Sequence, residues 1–191
     1  AGGMGAELRD TNASVAGAGA GDVNSHLGDS GDAVVEVKKL DLSMAFNPSP
    51  LECVDPVVQG PVRAKQDRVG DAERVKGLPL LLHGEAAFAG QGIVAEVLNL
   101  QSLDGYATGG TVHIITNNQV GFTTEARDAR STRYASDLAK GFDVPIVHVN
   151  ADDIEACINA VRLAWDYRRT EHRDGAHAHH GSRRLGQREH D

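Results

Sequence analysis

The sequence predicts an α/β fold: a mostly parallel sheet flanked by helices. Two observations carry that expectation. Short apolar runs at residues 78–82, 111–116 and 145–149 alternate with stretches of helical spacing, the pattern of parallel β-α units. The first run also ends in a glycine-rich turn, His83-Gly84-Glu85-Ala86-Ala87, and the second ends in Asn117-Asn118-Gln119-Val120. Open α/β sheets bind ligands in the crevice at the carboxyl ends of their strands. A carboxylate and an amide oxygen delivered there can together hold a hard cation such as Mg²⁺, which keeps waters and takes phosphate oxygens as further ligands.

Taken in order, residues 1–20 are rich in Gly, Ala, Ser and Asn and show no periodicity, so they read as a poorly ordered segment. Residues 33–46 are rich in β-branched side chains, alternate in part and predict a strand, stopped by Asn47-Pro48-Ser49-Pro50 because proline cannot donate to a ladder. Residues 51–68 predict a helix in their second half, with Pro56 and Pro61 making the first half irregular and Arg63, Lys65 and Arg68 on a solvated face. Residues 70–77 form a polar loop. The strand at 78–82 leads through the turn at 83–87 into a helix over 90–100, with Ile93, Val94, Val97, Leu98 and Leu100 on its apolar face. Gly90 and Gly92 at its start leave backbone N–H groups free to meet an anion. The strand at 111–116 and a turn at 121–124 are followed by a second helical stretch running to residue 140. After the strand at 145–149, Asp152 and Asp153 open a helix to residue 169, acids near its positive end. Its apolar residues Ile154, Ile158, Val161, Leu163, Ala164 and Trp165 cover much of the circumference and predict burial. Residues 171–191, with His172, His177, His179, His180 and His190, read as an irregular tail whose histidines have adventitious affinity for metals.

The bulk numbers bound the function. Nineteen basic and 27 acidic side chains give a net charge of −8, and no basic patch of the kind nucleic-acid binders carry stands out before the tail. No apolar run is long enough to span a bilayer, and the N-terminus lacks a secretory pattern. Two cysteines, Cys53 and Cys157, do not make a disulfide framework. The expectation is a soluble, intracellular chain of one domain that binds neither nucleic acid nor membrane.

Five stretches carry a resemblance: GDVNSHLG at 21–28, HGEAAFAGQGIVAEVLNL at 83–100, GGTVHIITNNQVGFTT at 109–124, DARSTRYASDLAK at 128–140 and PIVHVNADDIEACINAVRLAWDYRR at 145–169. Together they resemble the thiamine-diphosphate-dependent decarboxylating component of 2-oxoglutarate dehydrogenase, densely from residue 21 to about 169. The resemblance implies a diphosphate-binding domain over 21–170, with thiamine diphosphate anchored through Mg²⁺. The metal ligands it implies are Glu85, Asn118 and the Val120 carbonyl. The cofactor contacts are His83, Gly84, Glu85, Ala86, Gln91, Asn118 and Val120, with Asn117 lining the same crevice. His26 is the catalytic candidate, facing cofactor and substrate carboxylates; judged by itself, a lone loop histidine is more often a solvated side chain. His83 at a strand end more often packs or bonds backbone, and His113 and His148 read as structural.

Three departures from the family stand at or near functional positions. Family members read HGDAA where this chain has Glu85, one methylene longer. Pro50 stands where a second active-site histidine is expected. The tail replaces a buried apolar strand, and 171–181 reads as scrambled, as a shifted reading frame would produce. The resemblance also implies 2-oxoglutarate rather than 2-oxoadipate as substrate, a cytoplasmic or mitochondrial-matrix setting in the tricarboxylic acid cycle, a homodimer, and a dihydrolipoyl succinyltransferase partner. The family activates its cofactor with a glutamate from a separate domain, so the expectation is a fragment inactive alone. The alternative is a degenerate, non-catalytic remnant that keeps the fold. A nucleotide site on Gly90-Gln91-Gly92 is the weakest reading, because no full GxGxxG follows a strand.

Overall fold

The chain runs β1 (Asp29–Val35), β2 (Lys38–Met44), α1 (Val54–Arg68), β3 (Leu80–Gly84), α2 (Glu85–Gly90), α3 (Gly92–Leu100), β4 (Val112–Asn117), β5 (Val120–Gly121), β6 (Thr124–Glu125), α4 (Ala126–Ala129), β7 (Ile146–Asn150), α5 (Ile154–Glu171) and β8 (Gly175–His180). Short 3-10 helices at Leu51–Cys53 and Ala135–Phe142 complete it. This computed structural model describes residues 29–35, 38–46, 51–121 and 123–180. The segment 1–20, His26, Pro50 and residues 181–191 of the tail lie outside the described residues.

Strands β3, β4, β8 and β7 lie side by side in that order, each pair parallel. The predicted apolar runs thus become strands, each ending one to two residues later than its hydrophobic pattern. β4 is central and covered on both faces, with Val112, His113, Ile115 and Asn117 buried, as parallel strands usually are. β3 is an edge strand: Leu81 and His83 point inward while Leu80 and Leu82 remain exposed. The largest departure from the sequence reading is β8. Residues 171–191 are expected to be irregular, yet 175–180 form a strand between β4 and β7, pairing Ala176 with both His113 and Ile146. Two neighbouring ladders satisfy its backbone groups, and Gly175 and Ala176 are small enough for the buried centre of the sheet.

The strand expected over 33–46 is instead an antiparallel hairpin, β1 against β2, with Asp29 opposite Met44 and Val35 opposite Lys38. Reversing the chain lets each half satisfy the other's backbone, and Asp32 meets Lys39 at 2.6 Å across it. α1 is regular from Val54 despite both prolines. Pro56 sits in the first turn, where the missing N–H costs no helical bond. The face that α1 buries is polar (Asp55, Gln59 and Gln66, after Glu52 in the preceding 3-10 turn), so no apolar stripe announces it. Gln66 Nε2 donates to the Thr108 and Gly77 carbonyls at 2.9 and 3.2 Å. Arg63, expected on a solvated face, donates to the Asp104 and Ala107 carbonyls at 3.0 and 2.9 Å.

α5 also corrects the sequence reading. Its buried stripe is Ala160, Ala164 and Arg168. Ile154, Ile158 and Leu163 are 73%, 49% and 57% exposed, and Val161 and Trp165 are exposed as well. The sheet offers only one face to α5, so the residues on its far side have nothing to pack against. Asp153 caps the helix, its Oδ1 accepting the Ala156 N–H at 2.9 Å. Asp153→Ala is expected to lower stability by about 1 kcal/mol, read as an earlier urea midpoint with an unchanged slope. On the opposite face Phe88, Val94, Leu98, Ile115, Ala139, Val144 and Ala176 form the core, with Leu138, Phe142 and Ile146 packed against it.

Candidate functional site

The carboxyl ends of β3 and β4 carry the candidate site. Thr116 Oγ1 donates to the His83 carbonyl at 2.9 Å, tying the two strand ends together. The chain leaves β3 through Gly84, in extended conformation as the N-cap of α2, so that Glu85 is the first residue of the helix. The turn expected at 83–87 is therefore mostly the start of α2. Beyond β4, Asn117 Oδ1 accepts the Gln119 N–H and Asn118 Oδ1 accepts the Val120 N–H, at 2.9 and 3.1 Å. Gln119 takes a left-handed φ of 63°. These bonds fold 117–120 into a tight turn that presents Asn118 and Val120 half-buried.

Glu85 is buried, 2% exposed, and meets that turn directly. Burial pushes its pKa up; the backbone N–H groups of Glu85, Ala86 and Asn118 and the charge of Arg130 work against that. The Glu85 carboxylate and Asn118 are thus adjacent. Glu85 Oε1 has no hydrogen-bond partner, and neither do the buried Nε and Nη1 of Arg130. An unpartnered carboxylate oxygen beside an unpartnered guanidinium asks for a cation at the first and an anion at the second, because buried polar groups left unmet are costly. A methyl added at Gly84, Gly90 or Gly92 would meet nothing within 4 Å, so there is open space around both ends of α2. Gln91 is half-buried between α2 and α3, its N–H held by the Ala87 carbonyl at 3.0 Å.

The imidazole of His83 turns the other way. It is 1% exposed, with Nδ1 at 2.6 Å from Glu52 Oε2 and Nε2 at 3.0 Å from His113 Nδ1. Contact between this ring and a diphosphate requires one of those bonds to break. Burial lowers its pKa, the His113 ring adding to that effect and Glu52 opposing it. Sequence reasoning missed Glu52, Asp55 and Arg130. Only the i, i+3 spacing of Glu52 and Asp55 hinted that they share a face.

Gly121 brings β5 against α2: a methyl there would lie 2.5 Å from Ala86 Cβ. Gly121→Ala is expected to push the two apart at about 1–3 kcal/mol of strain. The measurement is thermal unfolding together with a magnesium and thiamine diphosphate titration, both expected to show a loss.

A family model described as dehydrogenase E1 component matches residues 10–183. The chain belongs to the dehydrogenase E1 component family. Within that family it is 50% identical over 177 residues to the 2-oxoglutarate dehydrogenase E1 component of Bacillus subtilis (strain 168), covering 90% of this chain and 19% of that protein. It is 51% identical over 177 residues to the protein of the same name from Bacillus licheniformis, with the same coverage. The one from Exiguobacterium sp. is 51% identical over 176 residues, 90% of this chain and 18% of that protein. The chain spans about a fifth of the length of these curated relatives. Among the described residues, no helix is long and apolar enough to cross a membrane.

Proposed function

We propose that these residues form the diphosphate and magnesium half-site of a thiamine-diphosphate-dependent 2-oxoglutarate dehydrogenase. The observation that carries the reading is a set of buried atoms without hydrogen-bond partners on two oppositely charged side chains, Glu85 Oε1 and Arg130 Nε and Nη1, beside the Asn118–Val120 turn. Glu85, the Asn118 side chain and the Val120 carbonyl would hold Mg²⁺, with the remaining ligands drawn from waters and phosphate oxygens. Arg130 would face the phosphates, a role its forked donors suit. Gly84, Ala86 and Gln91 border the same space. His26 remains the candidate for the substrate's carboxylates. When bound, thiamine diphosphate supplies the electron sink that lets a 2-oxo acid lose carbon dioxide. This chain's own residues anchor and orient it.

The relatives' name, 2-oxoglutarate dehydrogenase E1 component, supports 2-oxoglutarate as substrate and further components as partners; a dihydrolipoyl succinyltransferase partner and a cytoplasmic setting are carried by the family resemblance alone. The exposed apolar side of α5 supports a further contact surface, because contiguous apolar patches mark interfaces; a homodimer is the occupant this reading assigns. The test is a titration of thiamine diphosphate with and without Mg²⁺, followed by addition of 2-oxoglutarate with an artificial electron acceptor. Magnesium-dependent binding without turnover by the 191 residues is expected. The longer Glu85 carboxylate favours a second reading, a non-catalytic remnant. Absence of any magnesium-dependent binding would select it.

A further inference from the structure

A second constellation lies beneath β3, sharing no residue with Glu85, Asn118 and Val120. Glu52 and Asp55 lead into α1, and His83 reaches them from β3. Their ligand atoms all lie within 4.8 Å of one another and all three residues are buried. Glu52 Oε2 is 2.6 Å from His83 Nδ1, and Asp55 Oδ2 is 3.9 Å from the same nitrogen. Asp55, 2% exposed, has no hydrogen-bond donor at Oδ2.

The hydrogen-bond chain behind His83 sets where its proton sits. Asp174 Oδ1 accepts the Thr111 N–H at 2.7 Å, and the side chain lies near the Arg168 guanidinium. Its Oδ2 accepts from His113 Nε2 at 3.3 Å. That leaves His113 Nδ1 as the acceptor at 3.0 Å from His83 Nε2, so His83 Nε2 carries the hydrogen. A neutral His83 then turns the lone pair of Nδ1 toward Glu52. Three acceptors, one imidazole nitrogen and two carboxylates, converge with no protein donor among them. Two protons can reconcile them, or one divalent cation.

We propose that Glu52, Asp55 and His83 form a buried site for one divalent transition-metal ion of the zinc or cobalt class. An imidazole nitrogen with two carboxylates suits such ions better than magnesium, which prefers oxygen and keeps its water. Tetrahedral ligation at normal bond lengths sets donor atoms about 3.3 Å apart, and the present 2.6 and 3.9 Å straddle that value. Small side-chain adjustments at Glu52 and Asp55 bring all three into range. The His83–His113–Asp174 chain is the arrangement that orients a metal-binding histidine and raises its basicity. Burial and the neighbouring Glu52 push the Asp55 carboxyl up to about 8. Phe88 closes one side, its ring centroid 5.0 Å from that of His83. A bound ion would pin the start of α1 to the strand that delivers Glu85.

The test is cobalt(II) binding by the full chain, followed by equilibrium dialysis and visible absorption, against the Glu52→Gln/Asp55→Asn double variant checked for folding by circular dichroism. One equivalent bound by the parent, and at least tenfold weaker binding by the variant, is expected. Both proteins keep the histidine-rich residues 172–190, so equal binding assigns the ion to those histidines and overturns the proposal. No binding by the parent overturns it as well. Should the variant fail to fold, cobalt X-ray absorption on the parent decides. A single imidazole among oxygen ligands supports the site, and several imidazoles overturn it.

Discussion

Replacing Arg168 by leucine is expected to lower folding stability by about 3–5 kcal/mol, the range for breaking a buried charged network. Arg168 is fully buried, and its guanidinium binds the chain at four backbone carbonyls. Nε donates to Gly110 at 3.2 Å, and Nη2 donates to Gly77, Arg74 and Thr108 at 2.6, 2.9 and 3.2 Å. Burial lowers its pKa, and the nearby charges of Asp71 and Asp174 oppose that. Leucine would take the side-chain donor from the Gly110 carbonyl and leave Arg74, Gly77 and Thr108 to share the Gln66 amide alone, the costly half of losing a hydrogen bond. The surroundings cannot close over the gap easily: Gly110 has φ +97°, and even a methyl there would lie 2.3 Å from the Arg173 carbonyl oxygen. Lysine would restore the charge without the fork and rescue only part of the loss. Chemical denaturation reads the effect, and Arg169→Leu, at an exposed neighbour, is expected to stay within about 0.5 kcal/mol. An Arg168→Leu midpoint close to the parent's would refute the network's role.

That network shows where sequence reasoning stops. Arg168 and Arg169 look alike in the sequence, two cations in the last turn of a helix where the dipole favours both. Only the fold distinguishes them. The apolar periodicity of 93–100 and the runs leading to Asn117 and Asn150 were legible because most of their residues are apolar, buried at Val94, Val97, Leu98, Val112, Ile115 and Val149. α1 was half legible, since the residues it buries are Asp55, Gln59 and Gln66, matched to polar partners contributed by distant turns. β8 was hidden because its residues, Gly175 to His180, lack the apolar run that an interior parallel strand usually shows, and its place is set by the ladders to β4 and β7. α5 misled in the opposite sense: its apolar residues are real, but they face outward. The turn pair around Glu85 and Asn118 was placed by motif and is adjacent in space. Arg130, whose charge acts on Glu85, stood in a stretch with no periodic signal at all.

Glu85→Asp is expected to tighten magnesium-dependent thiamine diphosphate binding by about 10- to 100-fold, the scale on which disturbed metal sites lose affinity. Glutamate places its carboxylate about 1.5 Å further along the side chain than aspartate, one carbon–carbon bond. Magnesium tolerates little of that, demanding near-octahedral ligands at about 2.1 Å. In this chain the longer side chain curls onto the backbone N–H groups of Glu85, Ala86 and Asn118, leaving Oε1 buried and unmet. Those N–H groups compete with the metal for the other carboxylate oxygen. A shorter carboxylate should reach fewer of them and stand in line with Asn118 and the Val120 carbonyl. Glu85→Gln keeps the length and removes the charge, so it should bind more weakly than the parent. The ordering aspartate over glutamate over glutamine, measured by calorimetric titration at fixed magnesium, separates metal ligation from packing. Packing alone would rank glutamine with glutamate. Equal affinities for all three would remove Glu85 from the metal site.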